Sequence, residues 1–143
     1  MSKNIKDVYS LIQNHEGLCL KPYRDTVGKL TIGYGRNLDD VGISEDEAIQ
    51  LLDNDIKSVI YQLKQHIGWF EKLDEVRQAV LIDMAFNMGI EVFLKFEITL
   101  KNIEQSHYKQ ASIDMLTSKW AIQVGNRAKV LANMMDTGEW PIF

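Results

Sequence analysis

Cysteine is nearly absent from this chain: Cys19 stands alone among 143 residues, so no internal disulfide can form and the fold must hold without one. The three histidines, His15, His66 and His107, lack the spacing of metal ligands, and neither a metal nor a cofactor is expected. Long apolar runs are missing too. The opening MSKNIKDVYSLIQNHEG is too charged for a secretory leader or a membrane anchor, which predicts no stable membrane insertion and synthesis in a reducing cytoplasm. Positive charge is in deficit, with 16 Lys and Arg against 20 Asp and Glu for a net charge of −4. Between positions 39 and 55 stand Asp39, Asp40, Glu45, Asp46, Glu47, Asp53 and Asp55 without one Lys or Arg, which argues against a nucleic-acid groove. What remains is ordinary for a soluble globular protein: 45% hydrophobic and 25% charged residues, enough for one folding unit with a core, open to division into two lobes.

Hydrophobic spacing predicts a mostly helical chain with a small sheet. Ile5, Val8, Tyr9, Leu11 and Ile12 recur at helical intervals, and Gly17 supplies a stop, so a helix over residues 4–15 delivers Glu16 at its carboxyl end. Between Leu20 and Gly35 the period shortens to that of a hairpin or three-stranded sheet, turning near Gly28. Ser44-Glu45-Asp46-Glu47 reads as a capping box opening a long helix with Ile49, Leu52, Ile56, Val59, Ile60 and Leu63 on one stripe. The segment from Ala79 to Met88 is apolar save for Asp83 and Asn87, the mark of a helix buried on nearly every side, with Met84, Phe86 and Met88 in the core. Short helices are expected at about 94–104, 107–117, 119–124 and 126–136.

The composition of His15 to Arg36 is odd for a core segment. Glu16 is followed nine residues later by Asp25 and six beyond that by Thr31, among Gly17, Gly28, Gly33 and Gly35. Two carboxylates and a hydroxyl are what splitting an acetal requires, one acid to protonate the leaving oxygen and one base to activate water. Spacing alone leaves the alternative standing that both carboxylates are solvated surface groups.

The wording of the segment decides between them. Glu16-Gly17, Tyr23-Arg24-Asp25-Thr26 and Thr31-Ile32-Gly33-Tyr34-Gly35 resemble the signature of the phage-type lysozymes, glycoside hydrolase family 24, including the spacing of Glu, Asp and Thr. Phe86-Asn87-Met88-Gly89, Ser118-Lys119-Trp120, Gly125-Asn126-Arg127 and Thr137-Gly138-Glu139-Trp140 resemble later phrases of that family in order. The resemblance implies a lysozyme-like α+β fold, predominantly helical, with an N-terminal lobe of about 14–60 carrying the small antiparallel sheet. A long helix would join it to a helical C-terminal lobe of about 1–13 and 61–143.

It also implies roles. Glu16 would be the proton donor, and Asp25 with Thr31 would hold water or stabilise the transition state. Phe86, Thr99, Asp114 and Asn37 would meet the saccharide, with Asp114 standing where an amide is expected and Asn37 where an apolar residue is. Asn87 would brace the site. Arg127 would pair with Glu16, lowering its pKa against the opposing pull of burial and of the helix end. The implied activity is that of an N-acetylmuramidase, hydrolysing the β-1,4 linkage of peptidoglycan with inversion of configuration. In the cell it would be a monomeric endolysin, made in the host cytoplasm and released by a holin. The competing readings are a silent module binding glycan or a protein, a glycosidase of chitin-like chains, and a lytic transglycosylase.

Overall fold

The structure, a computed structural model, describes residues 5–143. Among them are eight α-helices and a three-stranded antiparallel sheet. The chain forms two compact units, Met1–Leu51 and Leu52–Phe143, divided within the second helix.

In the first unit, helix α1 spans Val8–Glu16. It starts later than residue 5 because Asp7 caps it, accepting from the Ser10 amide at 2.7 Å; residue 4 lies outside the described residues. Gly17, at φ 73°, ends the helix one residue past Glu16. Strands β1 (Cys19–Arg24), β2 (Leu30–Gly33) and β3 (Arg36–Asn37) follow in that order across the sheet. β1 is an exposed edge except at Tyr23, while β2, paired on both sides, carries the buried Thr31. Their hairpin turns at Asp25 to Lys29: the Gly28 amide donates to the Asp25 carbonyl at 3.0 Å, and Gly28 has the positive φ of 84° that favours glycine.

Helix α2 runs Glu45–His66, 22 residues or roughly 33 Å. Its capping box is reciprocal, the Glu47 amide donating to Ser44 Oγ at 3.1 Å and the Ser44 amide to Glu47 Oε1 at 2.9 Å. The same carboxylate takes Arg36 at 2.7 Å, so β3 is tied to the start of α2. That pairing pulls the Glu47 carboxyl down to about 2, with the Ser44 bonds acting the same way.

The core of the second unit is built on Leu63, Phe70, Val80, Leu81, Met84, Phe93, Ile103, Met115 and Met135, none more than 2% exposed. Helix α3 (Glu75–Met88) is capped by Asp74, and α4 (Ile90–Phe93), α5 (Glu97–Glu104), α6 (Tyr108–Leu116), α7 (Lys119–Val124) and α8 (Asn126–Thr137) follow. Leu94, Lys95 and Phe96 fall outside α5, because α4 ends in a turn that the sequence reading merged with it. α3 is also less enclosed than its apolar run suggests. Val80, Leu81, Met84 and Ala85 are buried, but Phe86 is 41% exposed and Asn87 is exposed, so Phe86 is not a core residue.

Arg77 of α3 clasps the far end of α8. Its Nε donates to the Met135 carbonyl at 2.7 Å and Nη2 to that of Asp136 at 3.0 Å, while the guanidinium lies 3.6 Å over the Tyr108 ring. These bonds satisfy carbonyls that the end of a helix leaves open, with a cation where the helix dipole favours one.

Candidate functional site

Asp25 and Thr31 are each positioned by hydrogen bonds to residues within four positions in the chain. Asp25 is the first residue of the hairpin turn. Its Oδ1 accepts from the amides of Val27 at 3.0 Å and Lys29 at 2.8 Å, which alone would justify an aspartate here. Oδ2 has no protein partner among the described residues.

Thr31 is 3% exposed, and its Oγ1 lies 2.9 Å from the Lys29 carbonyl oxygen. Since a carbonyl only accepts, the hydroxyl must donate, and the lone pairs of Thr31 Oγ1 are what it can offer to anything else. Lys29 thus fixes both groups, its amide holding the Asp25 carboxylate and its carbonyl the Thr31 hydroxyl.

Glu16, at the last position of α1, is exposed, so the burial expected for it is not found. Its carboxylate makes no hydrogen bond to a protein group among the described residues. It rests instead against the bare Cα of Gly35: a Cβ built there would stand 2.6 Å from Glu16 Oε2.

Tyr23 connects the three. It is the cross-strand partner of Thr31, so the two side chains share a face of the sheet. Partial burial pushes its phenol above the ordinary range, and the negative charges of Cys19, Glu16 and Asp25 push it the same way. Both carboxylates are therefore within electrostatic reach of one ring that faces Thr31. In the sequence, the signal for Tyr23 is its place two residues before Asp25 in the strand that pairs with β2.

The residues expected to touch saccharide divide. Asn37, on β3 opposite Thr31, is engaged with Asp40: its Nδ2 donates to Asp40 Oδ2 at 3.0 Å and its Oδ1 accepts from the Asp40 amide at 2.9 Å. Thr99 and Asp114 line one depression of about 490 Å³ in the second unit, together with Lys95, Phe96 and Ser118. Asp114 is already held there by Asn102 at 2.8 Å and Gln110 at 3.1 Å. Phe86 lines another depression, of about 390 Å³, with Leu52, Ile56, Asp83 and Arg127.

Arg127, in the first turn of α8, grips Asp83 through Nε and Nη2, both at 2.7 Å. The oddity of an acid within the apolar run of α3 is thereby explained. Asn87 accepts the indole N–H of Trp120 at 2.7 Å, so its amide braces the joint between α3 and α7. Trp120 is buried as a core residue, meeting the edge of Phe96 at 6.4 Å. No group of three His, Cys, Asp or Glu among the described residues could hold a metal ion, and no helix is long and apolar enough to cross a membrane.

A predominantly helical chain with a small three-stranded antiparallel sheet has the α+β architecture of a lysozyme-like protein. Residues 13–135 match the phage lysozyme family, and the chain belongs to that family. It is 27% identical to a probable T4-type lysozyme of Dictyostelium discoideum over 96% of both chains. An endolysin from Acyrthosiphon pisum secondary endosymbiont phage 1 is 31% identical over 78% of this chain and 75% of its own. A SAR-endolysin of Escherichia phage Mu is 29% identical over 82% and 68%. Membership and these relatives together make the chain a lysozyme-type, peptidoglycan-lytic enzyme.

Proposed function

We propose that the enzyme hydrolyses the β-1,4 linkage between N-acetylmuramic acid and N-acetylglucosamine, with Glu16 as general acid and Asp25 and Thr31 as the holders of the attacking water. The observation that carries this reading is the division of labour at Lys29. It occupies one oxygen of Asp25 and the hydrogen of Thr31, leaving two acceptors, Asp25 Oδ2 and Thr31 Oγ1. A water donating a hydrogen to each keeps its lone pair for the sugar carbon, and Asp25 takes up the proton as the bond forms. Glu16, whose carboxyl has no hydrogen bond to a protein group among the described residues, gives its proton to the departing oxygen. Attack by a bound water, and not by Asp25 itself, inverts the anomeric centre.

On this reading the partner is the glycan strand of the wall, met additionally by Phe86, Thr99, Asp114 and Asn37, with Arg127 supporting. The protein acts as a monomeric endolysin that accumulates in the host cytoplasm and reaches the wall through a membrane opened by a holin. Purified peptidoglycan with wild type and Glu16→Gln tests the chemistry. Reducing muramic ends from wild type, with the variant slower by ~10²-fold or more while folded, are expected. Anhydro ends would replace hydrolysis with transglycosylation, and equal rates would remove Glu16 from its role.

A further inference from the structure

We propose that Gly35 is a positioning residue, its bare Cα forming the seat that sets where the Glu16 carboxylate stands; this rests on the reading of Glu16 as the proton donor. A Cβ on Gly35 would lie 2.6 Å from Glu16 Oε2, 2.8 Å from Cδ and 3.2 Å from Cγ. Three consecutive atoms of one side chain therefore lie along this glycine. Gly17, Gly28 and Gly33 share its positive φ in the same unit, yet a Cβ on any of them would meet nothing within 4 Å. The backbone alone would explain a glycine at each of those positions. At Gly35 there is a second reason.

The seat is anchored from behind. Arg36, the next residue, donates to Glu47 Oε1 at 2.7 Å and to the Gly42 carbonyl at 3.1 Å, and Glu47 is locked into the cap of α2. Gly35 is thus held by a residue that cannot follow a displaced carboxylate, so an added methyl must be accommodated by Glu16. Its carboxyl is the end of a flexible chain with no hydrogen bond to break among the described residues, and swinging it aside costs little stability. Restoring ordinary contact from 2.6 Å requires a movement of about 1 Å, and a misplacement of that size at a reacting group costs about 10²-fold in rate.

Gly35→Ala and Gly89→Ala make a matched pair. Both place alanine at a positive φ, 78° and 84°, but a Cβ on Gly89 would meet nothing within 4 Å. The two variants should lose similar thermal stability. Only Gly35→Ala should lose kcat, by about 10²-fold with KM little changed, and only it should move the acid-assigned limb of the pH-rate profile. Equal kcat for the two folded variants, or an unmoved limb, would overturn the proposal. In unsubstituted protein, isotope-edited NMR should find nuclear Overhauser contacts from the Glu16 γ-methylene to the Gly35 α-hydrogens. Their absence would overturn it whether or not Gly35→Ala folds. Contacts present with an inactive Glu16→Gln support the seat, whereas contacts present with a fully active Glu16→Gln would leave a seat for a group that is not the acid, sinking the reading of Glu16 instead.

Discussion

Replacing Asp25 by asparagine removes a charge while sparing the turn, and the hydrogen bonds say why. Oδ1 accepts from the amides of Val27 and Lys29 at 3.0 and 2.8 Å, and the carbonyl oxygen of an introduced side-chain amide accepts both equally well in geometry. Its NH2 then falls where Oδ2 was. A donor replaces an acceptor there, so a water can no longer point a hydrogen at that position, and no base remains to take its proton. General-base loss is worth ~10²- to 10⁴-fold in turnover, and we expect Asp25→Asn to fall in that range with a melting temperature within a few degrees of wild type. Asp25→Ala adds the loss of two backbone hydrogen bonds in the hairpin turn, a further cost of about 1–3 kcal/mol in stability. Turbidity clearing and reducing-end release, read beside circular-dichroism melts, separate the two effects. Clearing of peptidoglycan by Asp25→Asn within about threefold of wild type, or a shared melting temperature for Asp25→Asn and Asp25→Ala, would refute this role of Asp25.

Thr31→Ser should keep most turnover and Thr31→Val lose it, since only serine retains an oxygen whose hydrogen is engaged by Lys29; initial rates on labelled glycan decide this. Glu47 has a folded carboxyl pulled to about 2 by Arg36 and the Ser44 cap, below the 4.5 of an unperturbed glutamate. Its contribution is therefore complete above pH 4.5 and disappears as pH falls through about 2, so urea melts of wild type and Glu47→Gln should differ at pH 6 and converge near pH 2. A difference that survived at pH 2 would contradict that origin. Trp120→Phe deletes the indole bond to Asn87 and shrinks a ring that is 6% exposed, and a loss of about 2 kcal/mol is expected in denaturant titration.

What was legible in the residues is whatever depends on neighbours in the chain. The Ser44–Glu47 cap, the turn at Gly28 and the stop at Gly17 are all set within four positions, and each stands where its residue types place it. Glu16 at the end of α1 follows from the same local rule. Long-range pairings were less visible. Nothing near Asp83 in sequence indicates that its partner is Arg127, 44 residues on, nor that Asn87 turns to Trp120 across 33. Hydrophobicity placed Phe86 in the core, because a run of apolar letters does not tell which side of a helix its neighbours leave open. The seat at Gly35 could not be read at all, since a glycine's role as a contact surface appears only with the side chain that lies on it.

The clasp of Arg77 on the carbonyls of Met135 and Asp136 sets a schedule for how the second unit is made. α8 brings Leu131, Met134 and Met135 to the interior, and the guanidinium that closes over its end was synthesised almost sixty residues before. While a ribosome still holds residues 126–138, that interior lacks one wall and the early helices wait with apolar faces uncovered. The second unit therefore stays unfinished until residues 126–138 have left the ribosome and the clasp can close.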